Sequence, residues 1–476
     1  MVLHMGYKRY TALLLALVLL MASLAGCAPE EEDFPVSSGP QVTLENTGEA
    51  AGLKMAYTQL DEAYQKALEE IIEKYRADFP ETEIILVPCD TEQQAEELLR
   101  TGKADLVQVD SGSQPALAGE GLLWNFYPYL QVWREEYGLT NAARQAVYSM
   151  GARQAYIMPA DFRQEVMFYR ADWLDAYNET QEQEEDKLWC RTWGQISAVR
   201  EKLGEKGRLA IAGKDRLGDY FDTIMWSRAG RGAMINPAAG YFAAGMDEGD
   251  TLFATQAAEL ASERIYLTMN EDVLPGSVDW TEEEALSAFK NGEACMLLAD
   301  SSHTAELREA LPQGALGVEG FTRCDNNRSV FSAGFWGWGI SENSGNRETA
   351  IHFLTYLANA DNNTHIAKAA GTLPLHGEGL EMEPSLKEGE RAVEMRMCQL
   401  GNEYQYACRP DMYREESQAF EEEYRRLLKA FLQDEITQEE MLSQLNGFWQ
   451  QVYLEQPNTW ELKEPEEDED EESGNE

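Results

Sequence analysis

From residue 53 onward the chain alternates short apolar runs with stretches whose apolar residues recur every three or four positions. Residues 53–57 make a short strand, and 61–78 carry Ala63, Ala67, Ile71 and Tyr75 at helical spacing. Residues 83–87 read as a strand, 91–100 as a helix and 104–109 as a strand again. This βαβαβ rhythm predicts an α/β lobe built on a mostly parallel sheet. Farther along, 166–169 is a strand after the turn Met158-Pro159-Ala160-Asp161, 192–203 a helix capped by Thr192, 209–212 a strand and 220–229 a helix. Helical spacing fills 252–270 and 281–291, while 294–298 and 317–321 are apolar strands. The spacing predicts amphipathic helices over 346–358, 418–434 and 437–453, the last opened by Thr437 and Glu440 at capping-box separation.

Both ends break this pattern. Residues 1–26 hold Lys8 and Arg9, an apolar run from Tyr10 to Met21, and the small-residue stretch that ends at Cys27, which together read as an export signal. Leu24-Ala25-Gly26-Cys27 resembles a bacterial lipobox, in which the Cys becomes the lipidated first residue after cleavage. No other segment reaches about 18 consecutive apolar residues, so a lipid on Cys27 is the expected membrane anchor. Residues 27–51, rich in acids, Ser, Gly and Pro, form a flexible tether, and 456–476 form a disordered acidic tail.

Charge narrows the function classes. With 85 Asp and Glu against 39 Lys and Arg, the net charge is −46, which argues against nucleic-acid binding and against docking on anionic lipid, since both need clustered cations. Loss of residues 1–26 removes two cations and no acid, and brings the charge to −48. Cys89, Cys190, Cys295, Cys324, Cys398 and Cys408 lie far apart with no CxxC pair or Cys/His cluster, so no metal is expected. Cys398 with Cys408 is the most plausible local disulfide, and buried free thiols are the equal alternative.

Several phrases then fall in a telling order. Phe289-Lys290-Asn291-Gly292-Glu293-Ala294-Cys295-Met296 is followed by Gly337-Trp338-Gly339-Ile340-Ser341, by Asn343-Ser344-Gly345-Asn346-Arg347-Glu348-Thr349-Ala350 and by Gly371-Thr372-Leu373-Pro374. Upstream stand Lys103-Ala104-Asp105-Leu106-Val107, Gly119-Glu120-Gly121-Leu122-Leu123, Met167-Phe168-Tyr169-Arg170-Ala171-Asp172 and Thr192-Trp193. In this order they resemble the family 1 extracellular solute-binding proteins of ABC importers, across essentially the whole core from 53 to 453. The resemblance implies a two-lobed α/β fold of the periplasmic-binding-protein type, a type II Venus flytrap with its ligand cleft between the lobes. It implies one lobe from 52–160 plus 324–373 and another from 161–323 plus 374–455. It also implies a monomer that binds a carbohydrate without a cofactor, closes on it, and docks on ABC permease subunits at the outer face of the cytoplasmic membrane.

Sugars are held by aromatic rings against their apolar faces and by planar polar groups on their hydroxyls. After the first predicted strand come Thr58 and Gln59, and after the third comes Ser111; each serves equally well as a cap or turn residue. Pro159-Ala160-Asp161-Phe162-Arg163 offers Asp161 and Arg163, and Arg163 replaces the carboxylate that the family carries four residues after this Pro. An Arg there would fit a carboxylated, phosphorylated or otherwise polar sugar, or would pair with one of the many acids. Tyr220 falls where the family presents a stacking aromatic, with core packing as the alternative, and Trp226 reads as core. Where the family often places a Trp, Ala299-Asp300-Ser301-Ser302-His303 substitutes hydrogen-bonding groups, of which Asp300 and Ser302 are candidates. Trp336, in the glycine-broken run Ser332 to Trp338, is the best single stacking candidate, with one of Trp336 and Trp338 left for the core by period-two alternation.

No GxxxxGK[ST], HExxH or GxSxG motif occurs, and the four His of the mature chain (His303, His352, His365, His376) are scattered. His352, mid-helix, reads as a surface or satisfied core residue. The expectation is a binding protein and not an enzyme. Its alternatives are the same fold bound to a polyamine or phosphate ester, the same fold acting as a sensor, and a secreted glycosidase with paired carboxylates.

Overall fold

The computed structural model describes residues 51–58, 60, 62–110, 113–129, 138–147, 154–160, 164–229, 251–320, 329–332, 336–383, 389–399, 404–407 and 414–455. Strand β1 (Ala51–Tyr57), helix α1 (Glu62–Asp78), β2 (Thr82–Pro88), α2 (Glu92–Arg100) and β3 (Leu106–Asp110) follow one another as the opening βαβαβ. Helices α3 (Gln114–Gly119) and α4 (Asn141–Val147) then lead to β4 (Ile157–Pro159). The chain continues through β5 (Glu165–Arg170), α5 (Ala171–Asn178), α6 (Trp193–Leu203), β6 (Leu209–Ala210), α7 (Gly213–Ala229), α8 (Gln256–Leu267) and α9 (Glu282–Lys290). Next come β7 (Met296–Asp300), α10 (Thr304–Ala310), β8 (Leu316–Glu319), β9 (Ser329–Ser332) and β10 (Trp336–Ile340). The described chain ends with α11 (Arg347–Leu357), α12 (Ala360–Ala370), α13 (Gly377–Met382), α14 (Gly389–Gln399), β11 (Tyr404–Ala407), α15 (Arg414–Leu432) and α16 (Gln438–Glu455).

Two principal sheets organise these elements. The first has strand order β2-β1-β3-β10-β4, with β1 parallel to β2 and β3, and β10 antiparallel to both of its neighbours. The expected mostly parallel sheet is therefore present, with β10 as the one reversed strand. It enters from 180 residues farther along, which no local rhythm could reveal. The second sheet, in order β6-β7-β5-β8, is mixed, because β5 runs antiparallel to both β7 and β8. A short parallel pair joins β9 to β11.

Local chemistry accounts for most helix boundaries. Thr91, Thr192, Thr281 and Thr437 each accept a hydrogen bond from the backbone N–H three residues on, and Glu284 and Glu440 return the bond to the cap N–H at 2.8 Å. Helix α1 buries Tyr64, Ala67, Leu68, Ile71, Ile72 and Tyr75, an unbroken stripe at three- and four-residue spacing. Tyr75 ends that stripe with its hydroxyl 2.8 Å from His352 Nδ1 and its ring edge-on to Phe353 and Tyr356. His352 is thus a satisfied residue of the α1–α11 joint, and burial lowers its pKa. Trp226 is buried, as its reading required. Cys89, Cys190 and Cys295 are buried free thiols. The Cys398–Cys408 pair, Cys27 with its tether, and the acidic tail lie outside the described residues.

Three expectations need correction. Met158 and Pro159, read as the start of a turn, belong to strand β4 and pair with Trp338 and Gly337. The strand placed at 209–212 is only two residues long, and the helix placed at 220–229 begins seven residues earlier, at Gly213. Gly213 is required by close packing: a Cβ there would lie 2.4 Å from Val278 Cα and 2.7 Å from the Ser277 carbonyl oxygen. Tyr220 consequently sits in the interior of α7 and does not open it.

Candidate functional site

Strand directions define two rims, one on each principal sheet, joined by the chain that follows β4. In the first sheet β1, β3 and β4 end at Tyr57, Asp110 and Pro159, and the reversed β10 begins beside them, with Trp336 paired to Asp110 and Gly337 to Pro159. From Pro159 the chain passes directly into the second sheet, where β5 starts at Glu165 opposite Asp300, the last residue of β7. The carboxyl ends of β1, β3, β4 and β7 and the start of β5 are therefore brought to the junction of the two sheets, where ligands bind in open α/β folds.

Hydrogen bonds pin both ends of the connection. Ala160 N–H donates to the Trp336 carbonyl at 3.0 Å, and its own carbonyl accepts from Asn363 Nδ2 at 2.9 Å. Asn363 Oδ1 in turn accepts from the Leu375 N–H at 2.7 Å, so one buried amide ties α12, the connection and residue 375 together. On the second sheet, Gln164 exchanges backbone and hydroxyl bonds with Ser301 at 2.9 and 3.4 Å, and its side chain donates to the Glu394 carbonyl at 2.7 Å.

On the first rim, Thr58 N–H donates to Gln108 Oε1 at 3.0 Å, while the Thr58 hydroxyl is buried with no hydrogen-bond partner among the described residues. Trp336 is half-buried at the rim, whereas Trp338, two residues deeper on the same face, is 1% exposed. The alternation thus assigns one Trp to the core and leaves the other accessible. Glycine between them is obligatory: a Cβ on Gly337 would stand 2.2 Å from Ile157 Cγ2 and 2.6 Å from the Met158 carbonyl oxygen. Gln59, Ser111, Asp161 and Arg163 lie outside the described residues.

The second rim is a cluster of charges. Glu165 has a side chain 1% exposed; Oε1 accepts from the Tyr220 hydroxyl at 3.2 Å, and Arg216 Nη2 lies 3.5 Å from Oε2. Arg216 Nε is also 3.4 Å from Asp219 Oδ2. Burial pushes the Glu165 carboxyl up to about 7; Arg216 opposes that shift, and Asp219 and Glu282 add to it. The Tyr220 phenol is held well above its ordinary value, first by burial and then by Glu165. Tyr220 is 0% exposed, so in this structure it presents no stacking face: its place inside α7 turns the ring into the core and its hydroxyl toward Glu165.

Beside this unit, Asp300 accepts from the Ser302 N–H at 2.8 Å and so caps the turn Ser301–His303, as its alternative reading anticipated; Ser302 itself is exposed. His303 lies 3.6 Å from Glu282 and 3.3 Å from Glu306, and these carboxylates raise its pKa while their own are lowered. A cavity of about 220 Å³ opens next to Ser302, between α10 and α12, lined by Thr304, Arg308, Thr364, Lys368 and Glu383. A larger groove of about 610 Å³, around Tyr266, Leu267, Phe431 and Ile436, draws on neither rim.

Sequence reasoning missed Glu165, Arg216 and Asn363. The signal for the first was an acid at the head of the all-buried strand Val166-Met167-Phe168, where an ionised side chain needs a partner. For Asn363 the sequence carries no comparable mark, because its role depends on two backbone groups 203 and 12 residues away.

Residues 70–379 match a family model described as bacterial extracellular solute-binding protein. No curated protein is significantly similar to the chain. Among solved structures, the chain is similar to maltose-bound MalE3 of T. maritima, at 18% identity over 85% of this chain and 100% of that one, with a TM-score of 0.61. It is also similar to a cyclo/maltodextrin-binding protein complexed with maltotetraose, at 14% identity over 86% and 99% of the two chains, with a TM-score of 0.65. The sugar-binding protein MalE from the phytopathogen Xanthomonas citri matches at 14% identity over 84% and 98%, with a TM-score of 0.66. At these identities the likeness establishes the two-lobed fold.

Proposed function

Because the chain belongs to the bacterial extracellular solute-binding family, we propose that it captures a mono- or oligosaccharide between its lobes and delivers it to an ABC importer. The observation that carries this reading is the end-to-end likeness to proteins solved with maltose and maltotetraose, together with two rims of hydroxyl, amide and charged groups at the junction of the sheets. We assign 52–160 and 324–373 to one lobe and 161–323 and 374–455 to the other. That division is supported by the separate sheets formed by β1–β4 with β10 and by β5–β8.

In this reading Thr58, Gln59, Ser111 and Trp336 meet the sugar from the first lobe, and Asp161, Arg163, Asp300 and Ser302 from the second. Trp336 supplies the apolar face. Tyr220 acts through Glu165 and not as a platform. Open and closed forms exchange, and a ligand that touches both rims shifts the population toward the closed form, which the permease subunits recognise. The protein turns over no substrate and uses no cofactor; energy comes from the importer's cytoplasmic ATPase. Residues 1–26 direct export, and lipidated Cys27 holds the monomer on the outer face of the cytoplasmic membrane by the 27–51 tether.

A thermal-shift screen of mono- and oligosaccharides, with polyamines and phosphate esters alongside, tests the reading. A sugar at a hundred times its Kd stabilises the native state by about 2.7 kcal/mol, and quenching of Trp fluorescence should accompany the shift. A response to polyamines or phosphate esters with none to any sugar would sink the carbohydrate assignment. Hydrolysis of glycosides, abolished by one carboxylate substitution, would sink the assignment as a non-enzyme.

A further inference from the structure

Arg216 is paired unlike other arginines of this chain. Arg170 grips Asp172 in a fork, Nε to Oδ1 at 2.8 Å and Nη2 to Oδ2 at 2.6 Å. Arg216 approaches Glu165 and Asp219 only to 3.5 and 3.4 Å, and its guanidinium, with five N–H groups, donates no hydrogen bond among the described residues. Its side chain keeps 25% of its surface exposed at the rim. Behind it, Glu165 Oε2 is buried and receives no hydrogen bond among the described residues. A guanidinium placed for stability alone would close on its carboxylates to charge-assisted distances of about 2.7–2.9 Å. Here unfilled guanidinium donors stand at the mouth of the junction between the sheets, beside the Asp219 carboxylate and in front of the buried Glu165.

A hydroxyl suits this edge, since it accepts from an N–H and donates to a carboxylate such as Asp219. Two adjacent sugar hydroxyls would span the Arg216 edge, one of them within reach of the Asp219 carboxylate. The surrounding charge disfavours an anion: Glu165, Asp219, Glu282 and Asp300 crowd this rim, against Arg216 and His303. We propose that Arg216, flanked by Glu165 and Asp219, is the sugar-reading subsite of the second lobe, and that it selects neutral sugars with adjacent hydroxyls over uronic or phosphorylated ones. The proposal rests on the carbohydrate reading above and reverses the preference that Arg163 alone would suggest.

Calorimetric titration of the purified protein with maltose, maltotriose, xylobiose, galactose and N-acetylglucosamine, and with glucuronate, galacturonate and glucose 6-phosphate, tests it. The expected result is binding of a neutral sugar, at least tenfold tighter than any acidic one. For that sugar Arg216→Ala should weaken binding about 10- to 100-fold, the weight of a lost charged hydrogen bond, and Arg216→Lys should fall between. Arg216→Lys, which keeps a cation beside Glu165, should melt close to the wild type, whereas Arg216→Ala should melt lower at pH 8 than at pH 5, because it leaves the buried Glu165 uncompensated. Retention of wild-type affinity within twofold by both variants would overturn the subsite while leaving the carbohydrate reading intact. Tighter binding of an acidic sugar would overturn the selectivity. Failure of every sugar to bind would overturn the carbohydrate reading and this inference with it.

Discussion

Replacing Glu165 by Gln should make the protein more stable in alkaline buffer, and the gain can be worked from the geometry. The carboxyl is buried in β5, and its pKa is pushed from 4.5 up to about 7 even with Arg216 beside it. Between those values the folded protein keeps a proton that the unfolded chain has released, so stability is full below pH 4.5 and drains away as the pH rises toward 7. A rise from 4.5 to about 7, at about 1.4 kcal/mol per pH unit, amounts to about 3.5 kcal/mol, nearly all of it lost by pH 8. Gln keeps the shape and the acceptor for the Tyr220 hydroxyl but carries no charge to desolvate. Asp272 and His303, whose pKa values are also raised, titrate alike in both proteins and cancel in the comparison. Urea unfolding followed by Trp fluorescence at pH 5, 6, 7 and 8 measures the difference. The variant should match the wild type near pH 5 and exceed it by about 3 kcal/mol at pH 8. Parallel pH profiles, or a variant weaker at pH 8, would show that the ion pair with Arg216 outweighs desolvation and that the reasoning is wrong.

Gly337→Ala should destabilise by about 1–3 kcal/mol or prevent β4 from pairing with β10, because the added methyl meets Ile157 and the Met158 backbone below 3 Å; chemical denaturation reads this directly. The two tryptophans of β10 should separate cleanly: Trp338→Ala should cost about 3–5 kcal/mol of stability, whereas Trp336→Ala should leave stability within about 1 kcal/mol but abolish most of the sugar-induced fluorescence change. Equal losses of stability would contradict the placement of Trp336 at the rim.

How much of this was legible in the sequence depended on range. Helix starts marked by Thr91, Thr192, Thr281 and Thr437 could be read because a cap is a local bargain between a hydroxyl and an N–H three residues on. The opening βαβαβ was legible for the same reason. The first half of α7 was not, since Gly213, Gly218 and the charged run between them carry a weak helical period, and Gly213 answers to Ser277 and Val278, more than sixty residues away. Helices α3, α4, α5, α10, α12, α13 and α14 escaped as well. At the candidate site, Thr58, Asp300, Ser302 and Trp336 could be placed at strand ends from the sequence because they follow or begin strands, a rule that needs no tertiary knowledge. Glu165 was passed over because acids are so common in this chain that a single one conveys nothing until its burial is known, and Arg216 because it lies in the unread first half of α7.

Burial is what separates four acids from the rest. Among the described residues Glu165, Asp222, Asp272 and Glu394 are each no more than 3% exposed. Each accepts a hydrogen bond from a hydroxyl distant in sequence: Tyr220 for Glu165, Tyr424 for Asp222 at 2.6 Å, Ser197 for Asp272 at 2.7 Å and Thr304 for Glu394 at 3.0 Å. The interior therefore uses its carboxylates as long-range ties, and the excess that makes the chain so acidic stands mostly on the surface, where water carries its cost. Asp222 joins α7 to α15 and Glu394 joins α10 to α14, contacts internal to the packing of helices. Glu165 is placed differently, at the head of β5 where the chain has just left the first sheet, beside a guanidinium with unfilled donors. A carboxylate that needed only to tie Tyr220 in place would be better neutral or better paired. The cost of holding it where both lobes converge is understandable if its charge orients Arg216 for a ligand.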